Sequence, residues 1–185
     1  MIRDVLQETE LRMMTAVEAM ESDLATFRTG RASPGLVERV VVQAYGAEVN
    51  LRQVALISVP EPQQLAIRPY DPKLLGAIEK AILKSDVGIT PNNDGHAIWL
   101  TMPRLTEERR RELTKQVGRR VEEAKVAVRN IRRDALNELR SLKNNHEIAE
   151  DDFFSAQDDL QKLTDRYIEQ IDEIGARKSA EIMEV

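Results

Sequence analysis

The sequence contains no cysteine, and only 4% of its 185 residues are aromatic. Without cysteine there can be no disulfide, no thiolate zinc site and no iron–sulfur ligation, which suits a reducing compartment. No apolar run approaches the roughly 18 residues that a membrane-spanning helix requires. The start, Met1–Asp4, lacks the basic-then-apolar order of a signal peptide. These absences predict a soluble cytoplasmic protein with no membrane partner.

Charge, in contrast, is abundant and unevenly distributed along the chain. Charged residues make up 32% of the sequence, and the overall net charge is −5. The net charge is −4 over residues 1–27, +1 over residues 28–103, +6 over residues 104–143 and −8 over residues 144–185. One basic segment therefore lies within an acidic protein, and it is the first indication of function.

Three segments have the apolar periodicity of long amphipathic helices. The predicted buried stripe of the first helix is Leu6, Thr9, Met13, Ala16, Met20, Leu24 and Phe27. That of the second is Leu113, Val117, Val121, Ala124, Val128, Ile131, Ala135, Leu139 and Leu142. After a break at Asn144–His146, the third has Ala156, Leu160, Leu163, Tyr167, Ile171, Ile174 and Ile182. Three stripes can share one core as a three-helix bundle.

Residues 30–103 have a different composition, because all seven prolines and six of the eight glycines lie here among short β-branched runs. The predicted strands are Leu36–Tyr45, Val54–Val59, Leu65–Pro69 and Ala97–Met102. Turns are predicted at Tyr45–Gly46, Pro60–Pro62 and Asp94–Gly95. A short helix is predicted after Asp71, with Leu74, Leu75, Ile78, Ile82 and Leu83 on one face.

The predicted fold class is therefore α+β, with two domains. Residues 1–29 and 104–185 form a long three-helix bundle, and residues 30–103 form a small, β-rich α/β domain inserted between its first and second helices. Two linkers, at 29–34 and 102–106, predict a hinge. The predicted hinge residues are Thr29, Gly30, Pro34, Pro103, Arg104 and Leu105.

The second helix carries its cations on one side. With Arg109 as zero and about 100° per residue, eight of its segment's thirteen cations fall between about 140° and 240°. They are Arg111, Lys115, Lys125, Arg129, Arg132, Arg133, Arg140 and Lys143. Most charge runs are solvated faces, but here arginine outnumbers lysine, and its planar fork suits phosphate oxygens. No aromatic residues lie between these cations, so the surface is poorly suited to stacking on the bases of single strands. Binding to the phosphate backbone of a folded RNA fits it better.

Other classes of function have weaker support in the sequence. Asp94 and His96 are possible metal ligands, but they lie in a turn sequence that favours such residues for backbone reasons. Gly30–Gly35 lacks the spacing and the lysine of a phosphate-binding loop. Without a catalytic constellation, we expect no enzyme activity, no metal and no cofactor. A structural or adaptor protein that pairs its bundle with partner helices remains an alternative.

Four separated motifs resemble those of the bacterial ribosome recycling factor family: Arg28–Pro34, Leu105–Arg110, Val126–Ala135 and Gln161–Asp165. The resemblance implies a monomeric, L-shaped translation factor without a cofactor of its own. Such factors bind the post-termination ribosome, chiefly its large-subunit rRNA. With elongation factor G and the GTP that this partner hydrolyses, they split it into subunits and release the messenger RNA. The rRNA-binding positions that the resemblance implies are Arg110, Arg129, Arg132 and Arg133, with Arg28 and Arg31 near the hinge.

The chain departs from the family pattern at a few positions. Ala149 occupies the position where the family usually has a Ser or Thr cap. The missing cap should destabilise the start of the third helix by about 1 kcal/mol and fray it. Phe154 and Ser155 replace residues that are often basic. Gly118, inside the second helix, costs about 1 kcal/mol relative to alanine.

Overall fold

A computed structural model describes residues 1–184, and the chain divides into two compact units. One unit is Gly30–Leu105, and the other consists of the helical segments that precede and follow it. The inserted unit therefore extends past the predicted boundary at residue 103. Its last residues are held by Gln63, which accepts hydrogen bonds from the Met102 amide at 2.7 Å and from Arg104 Nε at 3.4 Å.

The elements follow one another in a helix–sheet–helix order. The helices are α1 (Ile2–Ala25), α2 (Leu51–Val54), α3 (Leu75–Lys84), α4 (Glu107–Asn144) and α5 (Glu150–Met183). The strands are β1 (Val41–Ala44), β2 (Ala47–Asn50), β3 (Ala55–Glu61), β4 (Gln64–Pro69), β5 (Asn92–Asn93) and β6 (Ile98–Thr101). Within residues 1–184, no helix has both the length and the apolar character needed to cross a bilayer.

The three long helices α1, α4 and α5 pack on one another, which confirms the predicted bundle. Thr106 caps α4 as predicted, because its Oγ1 accepts a hydrogen bond from the Arg109 amide at 3.1 Å. The connection to α5 turns at His146, which has a φ of 56°. At the start of α5, Ala149 provides no side-chain cap, and the fraying expected from the missing cap stays a prediction.

The buried stripes agree closely with prediction in α4 and less well in α1. In α4 the buried residues are Leu113, Val117, Ala124, Val128, Ile131, Ala135 and Leu139. In α1 they are Val5, Thr9, Met13, Val17, Met20 and Leu24. Leu6 and Ala16 are half-buried, with Leu6 packed against the core, and Phe27 lies beyond the end of α1. Leu6 is next to the buried Val5, and Ala16 is next to the buried Val17. Adjacent residues of a helix differ in direction by only about 100°, so both members of each pair fit an apolar stripe of this width.

Helices α4 and α5 lie close together where Gly175 faces Val121. A Cβ on the buried Gly175 would overlap Val121 Cγ2, whereas a Cβ on Gly118 would meet nothing within 4 Å. Small residues permit this approach of the two backbones. The absence of a side chain at residue 175 is therefore a packing requirement that residue 118 does not share.

These two glycines give a matched stability prediction. Gly175→Ala should lower the free energy of unfolding by about 1–3 kcal/mol through overpacking, and Val121→Ala should restore part of the loss. Gly118→Ala should raise it by up to about 1 kcal/mol, because alanine favours the helix. Urea unfolding followed by circular dichroism measures both. Equal effects of the two substitutions would contradict the close approach.

The inserted unit is built on antiparallel strands. Strands β1 and β2 form a hairpin in register Val41–Asn50 to Ala44–Ala47, and its turn at Tyr45 and Gly46 has positive φ values of 52° and 75°. The other four strands form a sheet in the order β3-β4-β6-β5. Its core joins the strands to α3, with Leu65, Ile67, Ile78, Ile82, Ile98 and Leu100 fully buried.

Several predictions for this unit were wrong in detail. Only Val41–Ala44 of the predicted strand Leu36–Tyr45 is a strand, because Pro34–Leu36 form a 3₁₀ turn that starts at the proline. Strands β2 and β5 and the short helix α2 were not predicted. Strand β3 continues through the predicted turn at Pro60–Pro62 as far as Glu61. Leu83 is 61% exposed, since one residue of rotation separates it from the buried Ile82.

Candidate nucleic-acid interface

The eight cations that share one side of α4 are called the basic flank: Arg111, Lys115, Lys125, Arg129, Arg132, Arg133, Arg140 and Lys143. The structure places this flank along the edge of α4 that meets α5, because Lys125 and Arg132 both contact α5 side chains. The opposite edge of α4 meets α1, where Arg120 Nε bonds Asp23 at 2.6 Å. The two edges of α4 therefore have different ionic surroundings.

Three members of the flank form an inner row against α5. Lys125 Nζ lies 2.5 Å from a carboxylate oxygen of Asp172, and Lys143 Nζ lies 4.6 Å from the centroid of the Phe153 ring. Arg132 Nη1 donates to Gln161 Oε1 at 2.8 Å. These contacts hold the three side chains across the α4–α5 seam. Of the three cations, only Lys125 is neutralised directly by a carboxylate.

The remaining five members form an outer row that is exposed to solvent. Arg111 is paired with Glu107 at 2.5 Å, and Arg129 with Glu122 at 3.4 Å, both within α4. Exposed ion pairs contribute only about 0.2–1 kcal/mol, so an incoming phosphate can displace them. Lys115, Arg133 and Arg140 have no ion-pair partner among residues 1–184. The outer row therefore presents an excess of positive charge.

The structure brings three of the predicted site residues together and separates the others. Arg129, Arg132 and Arg133 lie within about one turn of α4. Arg110 is in the first turn of the same helix, about 28 Å from Arg129 at 1.5 Å per residue. Its direction of about 100° is that of the buried stripe, and its Nε is buried without a hydrogen-bond partner in the described chain. Arg110 therefore lies apart from the basic flank.

The residues predicted near the hinge lie at the two points where the chain passes between the units. Arg28 is exposed in the segment after α1, and Arg31 is exposed at the start of the inserted unit. Thr29 and Gly30 are the adjoining residues at the first crossing, and Gly30 has a φ of 78°. At the second crossing, Pro103, Arg104 and Leu105 end the inserted unit. Pro34 begins the 3₁₀ turn that follows Gly30.

Sequence reasoning missed two polar residues of α5 that hydrogen bonds link to the basic flank. Gln161 accepts from Arg132, and its own Nε2 donates to Asp165 Oδ1 at 2.8 Å. Gln161 and Asp165 are four residues apart on α5 and therefore lie on the same face. The available signal was their position in the Gln161–Asp165 motif, but nothing local to that motif indicates a contact with Arg132.

The alternative metal ligands have structural partners instead. The Asp94 carboxylate accepts hydrogen bonds from Trp99 Nε1 at 2.7 Å and from the amides of Ala97 and His96 at 2.8 Å. The Trp99 bond contributes most, and together these donors lower the pKa of Asp94 to about 2. Asp94 therefore organises the turn before β6. Within residues 1–184, no group of three or more metal-ligating side chains is arranged to hold an ion.

Known proteins are similar to this chain along its whole length. The sequence profile of the family described as ribosome recycling factor matches residues 20–183. The ribosome-recycling factors of Roseiflexus castenholzii and Bacillus licheniformis are 56% and 54% identical over 185 residues, covering 100% of both chains. A solution structure of a ribosome recycling factor has a TM-score of 0.75 at 42% identity, covering 100% of this chain and 98% of that chain.

A second solved structure is similar over the complete chain and carries information on assembly. It contains models for the T. thermophilus ribosome recycling factor and the E. coli elongation factor G bound to the E. coli post-termination complex. It has a TM-score of 0.63 at 40% identity and covers 100% of both chains. Identity above 50% over the full length, together with the family profile, is decisive. The chain belongs to the ribosome recycling factor family.

Proposed function

We propose that the protein splits post-termination ribosomes into subunits, with its bundle bound to large-subunit rRNA through the basic flank. The observation that carries this proposal is the grouping of Arg129, Arg132 and Arg133 within about one turn, with Arg133 unpaired in the described chain and Arg132 held by a neutral amide. Arginine forks of this kind suit the bidentate binding of phosphate oxygens. The partner is elongation factor G, whose GTP hydrolysis drives the separation.

The charge distribution of the chain supports the choice of surface. Residues 144–185, which include α5, have a net charge of −8, and residues 1–27 have a net charge of −4. An RNA backbone repels both of these segments and attracts the basic segment between them. The electrostatic field therefore favours an approach in which the basic flank meets the phosphates first. The protein needs no cofactor for this role and acts as a cytoplasmic monomer.

The predicted arginines outside this group supply secondary contacts in the proposal. Arg110 has a desolvated Nε without a partner within residues 1–184. The Nη groups of the same guanidinium are charged donors that can bind an RNA phosphate oxygen. Arg28 and Arg31, both exposed, add positive charge where the chain passes between the units.

We further propose that the two linkers, 29–34 and 102–106, form a hinge on which the inserted domain moves during splitting. Gly30→Ala should disturb this hinge, because a residue with a side chain at a φ of 78° is strained by about 1–2 kcal/mol. The variant should bind large subunits normally but split ribosomes several-fold more slowly. Gly35→Ala is the matched control, since that glycine lies nearby without a positive φ. Equal splitting rates for both variants would contradict the hinge.

The proposed function is tested by a subunit-splitting assay with and without elongation factor G and GTP. Post-termination complexes are prepared on a messenger RNA, and light scattering follows their separation. We expect rapid splitting only when the protein, the elongation factor and GTP are all present. Splitting that does not depend on the protein would contradict the proposal. Stable association with another helical protein, without any effect on ribosomes, would favour the adaptor alternative.

A further inference from the structure

The contacts of Arg132 differ from those of the other cation that contacts a polar side chain of α5. Lys125 is paired directly with the Asp172 carboxylate, so its charge is neutralised. Arg132 instead meets the Gln161 amide oxygen, and the nearest carboxylate in this chain of hydrogen bonds, Asp165, lies behind that amide. A neutral acceptor fixes the position of a guanidinium but leaves its positive charge intact.

The direction of the two hydrogen bonds defines the role of each α5 residue. A carboxylate accepts hydrogen bonds and cannot donate them, so Asp165 binds the NH₂ group of the Gln161 amide. The amide oxygen of Gln161 is then turned towards Arg132, where it accepts from Nη1. If the amide were reversed, its NH₂ group would face the guanidinium, and two donors would oppose each other. Asp165 therefore sets the orientation of Gln161, and Gln161 sets that of Arg132.

The surroundings of Arg132 restrict the guanidinium further. The residue is half-buried, and its Nε is buried without a hydrogen-bond partner among residues 1–184. The contact with Gln161 uses one N–H group of Nη1, so the other Nη N–H groups have no partner in the described chain. Arg133 is more exposed and has no such contact. Arg132 is thus the pre-organised member of the three neighbouring arginines, which reduces the ordering cost of binding.

We propose that Gln161 and Asp165 are positioning residues that hold the Arg132 guanidinium, with its charge retained, for an rRNA phosphate. This inference rests on the proposed function and adds to it two residues of α5. The chemical requirement is specific: position 161 needs a neutral acceptor, because a carboxylate there would neutralise Arg132 as Asp172 neutralises Lys125. The assignment therefore predicts that the nearly isosteric Gln161→Glu change is harmful.

The test measures the affinity of full-length variants for purified bacterial 50S subunits over a range of salt concentrations. Gln161→Glu should weaken binding about tenfold, which is the effect of losing one charged hydrogen bond. The slope of log affinity against log salt concentration should become shallower by the contribution of about one phosphate contact. Asp165→Asn should give a smaller loss, because it frees the amide to reverse. Thermal unfolding should show that both variants remain folded.

Two controls separate positioning from a general effect of added negative charge. Gln157→Glu makes the same change one turn earlier on α5, at a residue whose side chain has no hydrogen bond in the described chain, and should alter affinity less than twofold. In an Arg132→Ala background, Gln161→Glu should have no further effect. Equal losses from Gln157→Glu and Gln161→Glu, or full additivity with Arg132→Ala, would overturn the positioning role.

The failure of this inference can be distinguished from the failure of the proposed function. If Arg132→Ala alone leaves 50S affinity unchanged, the basic flank is not the binding surface, and the proposed function is wrong in its choice of rRNA-binding surface. If Arg132→Ala weakens binding while Gln161→Glu does not, the flank binds rRNA but Gln161 does not position it. Loss in both single variants without additivity supports the proposal.

Discussion

Simultaneous replacement of Arg129, Arg132 and Arg133 by alanine should lower the affinity for 50S subunits by at least about three orders of magnitude at low salt. Each charged hydrogen bond to a phosphate contributes about 1.5–3 kcal/mol, and the three lie within about one turn of α4. The dependence of log affinity on log salt should become shallower by about two to three, because fewer counterions are released from the RNA. Filter binding or sedimentation at several salt concentrations measures both quantities.

The matched control removes the same charge from the same helix outside the basic flank. Arg109, Arg119 and Arg120 all lie on α4 outside the basic flank, at directions of about 0°, 280° and 20°, and Arg120 is paired with Asp23 on the α1 side. Their joint replacement by alanine should change 50S affinity much less than the flank triple does. If both triples weaken binding equally, net charge and not the flank determines affinity. Circular dichroism should show full helicity in each variant.

A second large effect is expected at Leu139, in the part of the bundle core where all three long helices meet. Leu139 is fully buried in a cluster with Val5 of α1 and with Phe153 and Leu160 of α5. Leu139→Ala should lower the free energy of unfolding by about 2–5 kcal/mol, through lost transfer energy and the cavity that remains. The helical unfolding transition should fall by about 5–15 °C, measured by circular dichroism.

The same substitution at an exposed position is the control for this prediction. Leu11 lies on α1 with 63% of its surface exposed, so Leu11→Ala should change stability by less than about 0.5 kcal/mol. Leu139→Ala should also retain 50S affinity at temperatures where the bundle is folded, since it removes no cation. The arginine triple should show the reverse pattern, with lost affinity and unchanged unfolding. A large loss of affinity in folded Leu139→Ala would indicate that the flank is not a separable site.

Much of the bundle could be predicted from periodicity, because a helix with one partner face repeats its apolar residues every three or four positions. Seven of the nine residues in the predicted stripe of α4 are buried, and the side of α4 that carries the basic flank follows from the same rotation per residue. Thr106 was recognised as a cap because that role depends on atoms within one turn.

The inserted unit was less predictable for a physical reason. Its strands gain most of their stability from partners distant in sequence, so a run of β-branched residues does not specify where pairing begins or ends. The run Leu36–Tyr45 forms a strand only where β2 is available to pair with it, at Val41–Ala44. The strand β5 has only the polar pair Asn92–Asn93 and is defined by its register with β6.

By itself, the sequence determined the three long helices, the faces they bury, the concentration of arginine on one side of α4 and the family to which the chain belongs. These properties depend on composition and on residues a few positions apart. The tertiary structure alone decided which cations are neutralised across the α4–α5 seam. Lys125 meets Asp172 and Arg132 meets Gln161, because the packing of two helices sets the partners of side chains far apart in the chain.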